Sequence, residues 1–406
     1  EEDMAGIVII GAGQGAGQAA ASLRQLGYEG TVTVIGEEAF PPYQRPPLSK
    51  QYLSGEMPLE RVYVRAEKFY TDKDIELRTN TRVTALNVEA KTVTTESGEA
   101  IAYDKLMIAT GSRPRKLSIE GSDLAGIHCL RTSADADGIA KAMKAAKNLV
   151  IVGGGYIGLE VASVAATAGL NVSVLEMEDR ILQRVTTPAM SAYYDQLHTG
   201  RGVNIMTNTG VSGFEGSNDG NVEKVLCGDT SIEADLVIIG IGIIPNIELA
   251  AEAGITCENG IVVNDHCQTS NPDVYAIGDC SNHPNPILKR RLRLESVPNA
   301  MEQARVACAN ICGDDKVYAA IPWFWSDQYE LKLQMVGFSS DGDTQVLRGD
   351  QSENKFAVFY LKDSAVVAVD AVNSPREFMI CKQLYGKQVD AEKLADSEVD
   401  LKNLLS

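Results

Sequence analysis

The sequence predicts an α/β chain with two parallel-sheet domains and a smaller α+β domain at its end. Two observations carry that reading. A strand–glycine turn–helix–strand unit occurs at residues 7–37 and again at residues 149–176. From Pro322 the texture changes to aromatic-rich, alternating segments such as residues 355–361 and 366–370, the pattern of a separate α+β domain.

The second copy of the unit is complete. Leu149, Val150, Ile151 and Val152 read as a buried strand, and Gly153-Gly-Gly155-Tyr-Ile157-Gly158 follows at once. An Ala-rich helix then runs to about Gly169, and a second strand at 172–175 delivers Glu176. Strand, G-x-G-x-x-G, helix, strand and acid together form a dinucleotide-binding fingerprint. Gly153 makes the turn, Gly155 lets the backbone approach a pyrophosphate, and Gly158 brings helix and strand close. The free N–H groups at the helix start and the helix dipole favour the phosphates. Glu176 is placed to accept from both hydroxyls of an adenosine ribose and repels a 2′-phosphate, which predicts NADH over NADPH. Arg180 and Arg184 follow closely enough to leave some NADPH tolerance open.

The first copy reads as a strand at 7–10, Gly11-Ala-Gly13-Gln-Gly15-Ala16-Gly17, a helix to about Leu26, a strand at 31–35 and then Glu37. Ala16 takes the third glycine position, which the fingerprint allows. Two units imply two Rossmann-like domains and two dinucleotides, most economically FAD and a nicotinamide nucleotide.

Composition bounds the rest. With 406 residues, 44% hydrophobic and 23% charged, the chain has core enough for two or three domains. No apolar run approaches a membrane span, and the first residues carry no secretory pattern, so a cytoplasmic protein is expected. The 8 cysteines are scattered without C-x-x-C, and the 4 histidines show no ligand spacing, so no metal site is expected. A net charge of −18 argues against a nucleic-acid partner.

Between the motifs, the run 41–50 is too rich in proline for a strand or long helix, and Ser49 is placed to cap a following turn. Residues 76–95 read as short strands with turns, and 103–111 as a strand ending in a glycine turn. Residues 113–115 mark a crossing between domains. Strands and turns dominate 200–263, with one buried strand in 235–246 that ends in a glycine/proline turn and another at 274–279, and 298–312 reads as a helix.

The segments RPPLSK (45–50), IATGSRPR (108–115), VIVGGGYIGLEVA (150–162), ADLVIIGIGIIPN (234–246), VYAIGDC (274–280), RLESVPNAMEQAR (293–305) and PWFWSDQYELKLQMVG (322–337) occur in an order that resembles the two-dinucleotide flavoprotein reductases of the glutathione reductase-like fold. Within that group the chain is similar to the ferredoxin reductases of bacterial oxygenase systems. The resemblance implies an FAD-binding domain at 1–113 and 243–320, an NADH-binding domain at 114–242 and a C-terminal domain at 321–406. It implies a non-covalent FAD with Gly11, Gly13 and Gly15 at its pyrophosphate, Glu37 at its ribose and Val83 near its adenine. Arg131 would serve the phosphate and ribityl side, Asp279 the ribityl chain, and a Val297 backbone group the pyrimidine end. Arg45, Ala109, Thr110 and Gly111 join the FAD contacts; Ile157 and Gly242 join the NADH contacts.

Catalysis is expected from Lys50, which the resemblance sets beside the isoalloxazine, and Glu160, at the start of the second nucleotide helix. Such a pair would orient the two rings and stabilise charge as hydride arrives. Trp325 would lie over the exposed side of the flavin, or else belong to plain core. Residues 40–55 and 114–128 hold no cysteine, so the dithiols of disulfide reductases are absent and the electrons leave for an external acceptor. A [2Fe–2S] ferredoxin is the expected acceptor, serving a cytochrome P450 or a ring-hydroxylating dioxygenase, with the P450 favoured. Lys289, Arg290, Arg291 and Arg293 form its docking patch or a solvated loop. Monomer or weak homodimer is expected. Rubredoxin, a quinone or a small radical as acceptor stays open, as does an NADH-sensing interaction protein resembling apoptosis-inducing factor, against which the acidic charge speaks.

Overall fold

A computed structural model describes residues 5–405. Residues 1–4 and 406, the outer ends of the first and last expected domains and part of the stretch read for a leader, lie outside the described residues. The chain divides into two compact units. Residues up to Arg45, Pro58–Arg113 and Ile243–Pro322 form one; Pro46–Met57, Pro114–Gly242 and the residues from Trp323 onward form the other.

The first unit is built on a five-stranded parallel sheet in the order Val274–Ala276, Lys105–Ile108, Ile7–Ile10, Val32–Ile35, Glu76–Arg78. Ile7–Ile10 and Val32–Ile35 are buried throughout, which explains why they are apolar but for Thr33: a parallel strand covered on both faces has no solvent side to mark with alternating polar residues. Helices Gln14–Gln25 and Val297–Ile311 pack with this sheet through Ala16, Ala19, Leu23, Ala304 and Ala307. A three-stranded antiparallel meander, Val83–Asn87, Thr92–Thr95 and Ala100–Ala102, leads back into the sheet.

The second unit repeats the plan. Its parallel sheet runs Ile127–Cys129, Leu236–Ile239, Asn148–Val152, Asn171–Leu175, Asn204–Met206. Its meander is Gly213–Gly216, Val222–Cys227 and Thr230–Glu233. The repeat seen in the glycine motifs therefore extends through the meander and the strand that follows it.

Three features go beyond the sequence reading. The run 235–246, expected as a strand ending in a glycine/proline turn, carries a second short strand beyond its glycines: Leu236–Ile239 is followed by Ile243–Pro245, with Gly242 turning the chain at φ +101°. The chain passes between the units at that point. A short helix, Glu248–Glu252, interrupts a stretch read as strands and turns. Finally, the expected C-terminal domain is present as a five-stranded antiparallel sheet, and it shares a core with the rest of the second unit. Its strands run in the order Trp323–Gln328, Leu331–Gly337, Ala365–Val372, Lys355–Lys362, Thr344–Asp350. Leu333, Phe356 and Val358 share one apolar core with Ile151, Leu159 and Leu236, and Leu53 joins it, which draws Pro46–Met57 into this unit as well. Among the described residues, no helix is long and apolar enough to cross a membrane.

This unit also buries an acid. Asp370 Oδ2 accepts from Thr186 Oγ1 at 2.6 Å and from Tyr360 OH at 2.8 Å. Burial outweighs both bonds and pushes its carboxyl up to about 6. A raised folded-state value means that the folded chain holds this proton more tightly than the unfolded one. Its contribution is fully present below about pH 4 and lost as pH rises through about 6, up to about 3 kcal/mol. Asp370→Asn removes that slope. Its melting temperature relative to the unsubstituted protein should rise from pH 4.5 to pH 7; a constant difference across that range contradicts this account.

Candidate active site

The two glycine turns have the same physical design. Gly11 and Gly153 both sit at φ +110°, and in both an added Cβ would lie 2.0 Å from a carbonyl at the end of the neighbouring strand, Ala109 O and Gly240 O respectively. No side chain fits there. The next glycines, Gly13 and Gly155, are the N-caps of Gln14–Gln25 and Tyr156–Thr167, and neither helix start has a side-chain cap. An added Cβ at either would meet nothing within 4 Å. The first-turn N–H groups are thus left for a ligand across bare backbone, which fits a dinucleotide pyrophosphate. Gln14 Oε1, at the first of these helix starts, is buried with no partner. Gly158 is required for packing, since a Cβ would lie 2.6 Å from Gly153 O. Gly15 faces Ile277 and Ala300, which would lie 3.1 and 3.7 Å from its Cβ.

The two acids expected at the riboses are held differently. Glu176 directly follows its strand and folds back, Oε2 accepting from Gly154 N at 2.7 Å and Oε1 from Glu178 N at 3.0 Å. Gly154 leaves room for this. In the first unit Ala12 stands in its place, and a Cβ at Gly36 would come within 2.4 Å of Ala12 Cβ. The acid accordingly comes one residue later, at Glu37, whose exposed carboxylate lies 3.7 Å from Arg82 Nε. Arg180 is committed to the protein, donating to Thr186 O at 2.9 Å and Ser191 Oγ at 2.6 Å. Arg184 is exposed and pairs with Glu178 at 3.9 Å.

Other expected FAD contacts lie in the first unit. Arg45 bonds Glu38 and Tyr43. Val83 is buried at the start of its strand. Ala109-Thr110-Gly111 is latched by Asn246, which accepts from Thr110 Oγ1 at 2.8 Å and donates to Thr110 O at 2.9 Å. Asp279 follows strand Val274–Ala276 in a single turn of 3₁₀ helix and accepts from Ser112 Oγ at 2.9 Å. Val297 opens its helix, with Ser296 as cap. Sequence reasoning gave no role to Gln303, which ties these parts together. Its Oε1 accepts from Gly278 N at 2.8 Å, Ser281 Oγ at 2.9 Å and Asn299 Nδ2 at 3.1 Å. In the second unit, Arg131 precedes helix Ser133–Ala145 with its N–H on Asp135, Ile157 is exposed in the first turn of its helix, and Gly242 O accepts from Arg115 N.

The structure brings Lys50 and Glu160 together within the second unit. Lys50 Nζ lies 3.0 Å from Glu160 Oε2 and donates to Pro46 O at 2.9 Å. Ser49 does not cap a turn. It ends the 3₁₀ segment Pro46–Ser49, and its hydroxyl donates to Glu160 Oε1 at 2.9 Å. Ser326 Oγ donates to Oε2 at 3.1 Å. Glu160 is only 4% exposed, and burial raises its carboxyl above the ordinary range despite Lys50 and the two hydroxyls. The result is an ammonium fixed in place by a buried, fully bonded carboxylate. Trp325, one residue before Ser326, is half-buried with its ring centroid 5.8 Å from that of Trp323.

The basic cluster is less available than its sequence suggests. Arg291 donates to Val263 O at 2.6 Å and Asn282 O at 2.7 Å. Arg293 bonds Asp279 O and Glu295. Two of the four cations therefore serve internal contacts, while Lys289 sits exposed at φ +55° in the loop between strands Ser281–Asn285 and Arg290–Leu292. All 8 cysteines are unpaired thiols, and Cys280, beside Asp279, is buried with its thiol on backbone carbonyls. No metal-binding cluster occurs among the described residues.

Comparison with known proteins supplies the family. Residues 5–304 match the pyridine nucleotide-disulphide oxidoreductase family, and residues 323–405 match the reductase C-terminal family. Putidaredoxin reductase CamA of Pseudomonas putida is 44% identical, covering 98% of this chain and 96% of its own length. The crystal structure of the ferredoxin reductase for the CYP199A2 system from Rhodopseudomonas palustris superposes with a TM-score of 0.96 at 36% identity, covering 100% of both chains. The crystal structure of the covalent putidaredoxin reductase–putidaredoxin complex gives 0.95 at 44% identity, covering 98% of each chain. With its two glycine cradles, and cysteines that form no pair, the chain belongs to the pyridine nucleotide-disulphide oxidoreductase family.

Proposed function

We propose that this chain is an FAD-dependent NADH:ferredoxin oxidoreductase. It takes a hydride from NADH and passes single electrons to a [2Fe–2S] ferredoxin that serves a cytochrome P450. The observation that carries the reading is the pair of bare glycine cradles, each followed by an acid, in a chain with no cysteine at 40–55 or 114–128. The first unit holds FAD, through Gly11, Gly13 and Gly15 at the pyrophosphate, Glu37 at the ribose and Asp279 at the ribityl chain. The second holds NADH, through Gly153, Gly155 and Glu176.

Bound flavin supplies the two-electron to one-electron conversion that nicotinamide alone lacks. The protein's part is positional and electrostatic. Lys50, held by Glu160 and Pro46, places a fixed positive charge where negative charge develops as hydride arrives. Glu176, anchored by two backbone N–H groups, cannot swing away from a 2′-phosphate. The ferredoxin assignment is supported by the relatives' names and by the putidaredoxin complex of one of them. The proposed docking patch is the basic run of Lys289, Arg290, Arg291 and Arg293, in which Lys289 is exposed, and that role accelerates encounter and weakens with salt.

The deciding experiment is NADH consumption in air by the purified yellow protein, alone and with a [2Fe–2S] ferredoxin plus cytochrome c. Slow turnover alone, a strong rise with ferredoxin and a decline of that rise with added salt are expected. Equal consumption without ferredoxin points instead to oxygen or a quinone. Lys50→Met should slow anaerobic flavin reduction by NADH roughly a hundredfold with FAD content intact; an unchanged rate removes Lys50 from the chemistry. Glu176→Gln should narrow the NADH-over-NADPH ratio of kcat/KM about tenfold, as loss of one charge repulsion allows, whereas a ratio equal to that of the unsubstituted enzyme would assign the preference elsewhere.

A further inference from the structure

A line of buried polar side chains runs from Glu160 away from the ion pair. Ser326 Oγ lies 3.1 Å from Glu160 Oε2, and Gln328 Nε2 lies 3.2 Å from Ser326 Oγ. Gln328 Oε1 is 2.8 Å from His198 Nε2, and Tyr329 OH closes the series 3.4 Å from His198 Nδ1. Ser326, Gln328 and His198 are each 0% exposed. Three polar groups buried this deeply on one line exceed what packing a helix against a sheet requires, since each costs desolvation unless bonded.

The direction of every bond follows from one charge. An ionised Glu160 only accepts, so the Ser326 hydroxyl must point at it. Ser326 then accepts, which turns the Gln328 amide N–H toward it and the Gln328 carbonyl toward His198. His198 must therefore carry its proton on Nε2, leaving Nδ1 to accept from Tyr329. Each link donates inward, and such bonds polarise one another at low dielectric. Burial lowers the His198 imidazole, and Arg201, whose guanidinium lies 4.5 Å from the Tyr329 ring centroid, opposes its protonation further; both keep the ring neutral.

We propose that His198 and Gln328 are positioning residues for hydride transfer: through Ser326 they hold the Glu160 carboxylate ionised and aimed, and thereby fix Lys50. The inference rests on the oxidoreductase reading for its catalytic meaning. Other titratable groups facing Glu160 are Lys50 from the Pro46–Met57 segment, Tyr156 on its own helix and Tyr194 on helix Pro188–Gly200. Both phenols are kept neutral by burial. Asp370, near these phenols, is bonded to Thr186 and Tyr360. Protonation of Glu160 is thus opposed by Lys50, Ser49 and this inward-donating line, and deleting the line leaves only the first two.

Two measurements test the proposal on the full-length holoenzyme. Nitrogen NMR of ¹⁵N-histidine-labelled protein, with the His198 signals identified by their loss in His198→Phe, should show the Nε2–H tautomer at pH 7; the Nδ1–H tautomer overturns the inference. Anaerobic flavin reduction by NADH is then followed against pH. In His198→Phe, and in Ser326→Ala should the first variant fold poorly, the acid limb moves up by about one unit, so that reduction at pH values below the limb slows about tenfold while the alkaline plateau is kept. His198→Gln, which retains an N–H donor, restores the original limb. An unmoved limb, or an equal slowing at every pH, refutes the positioning role. An unsubstituted enzyme that NADH does not reduce refutes the oxidoreductase reading instead, and the tautomer measurement still judges the line itself.

Discussion

Each unit depends on a carbonyl that passes where a side chain would be. At Gly11 and Gly153 the neighbouring strand's end comes so close that a Cβ would overlap Ala109 O or Gly240 O, and both residues adopt φ +110°. That approach lets the central strand run straight into a helix whose first N–H groups face outward. The phosphate cradle is therefore a by-product of how tightly the sheet closes around the glycine turn. Because the sheet order, the meander and the close approach all recur, the two cradles are one structural solution used twice.

The units diverge where a single methyl group changes the room available. With Gly154 in the turn, Glu176 folds back onto its backbone; with Ala12 there, Gly36 must be bare and the acid moves to Glu37. One acid is rigid and the other exposed.

Lys50 and Glu160 show what the second unit adds. A buried ion pair is a weak source of stability, because desolvating both charges offsets their attraction, yet removing one partner costs about 3–5 kcal/mol. Here the carboxylate takes bonds from Lys50, Ser49 and Ser326, so few lone pairs are left unsatisfied. What the pair secures is position. An ammonium on a flexible four-carbon stem becomes a charge with one address.

The parallel strands, both glycine turns and the acids expected at the riboses were legible in the sequence, because each is written within a few residues: an apolar run, a glycine spacing, an acid after the strand. The glycine turn in 235–246 was legible too, but the strand Ile243–Pro245 beyond it was not, since three residues are too few to show a period. Likewise, charge spacing at Lys289–Arg293 could not reveal that Arg291 and Arg293 would be consumed by carbonyls of neighbouring loops. Ser49 and Ser326 lie 111 and 166 residues from Glu160 along the chain, and serines at such separations leave no mark in local pattern. The sequence by itself determined which backbone turns are left bare enough to fit a phosphate, because that depends on the absence of a side chain. Only the tertiary structure decided how Glu160 is held, because a buried carboxylate takes its partners from whatever elements close over it.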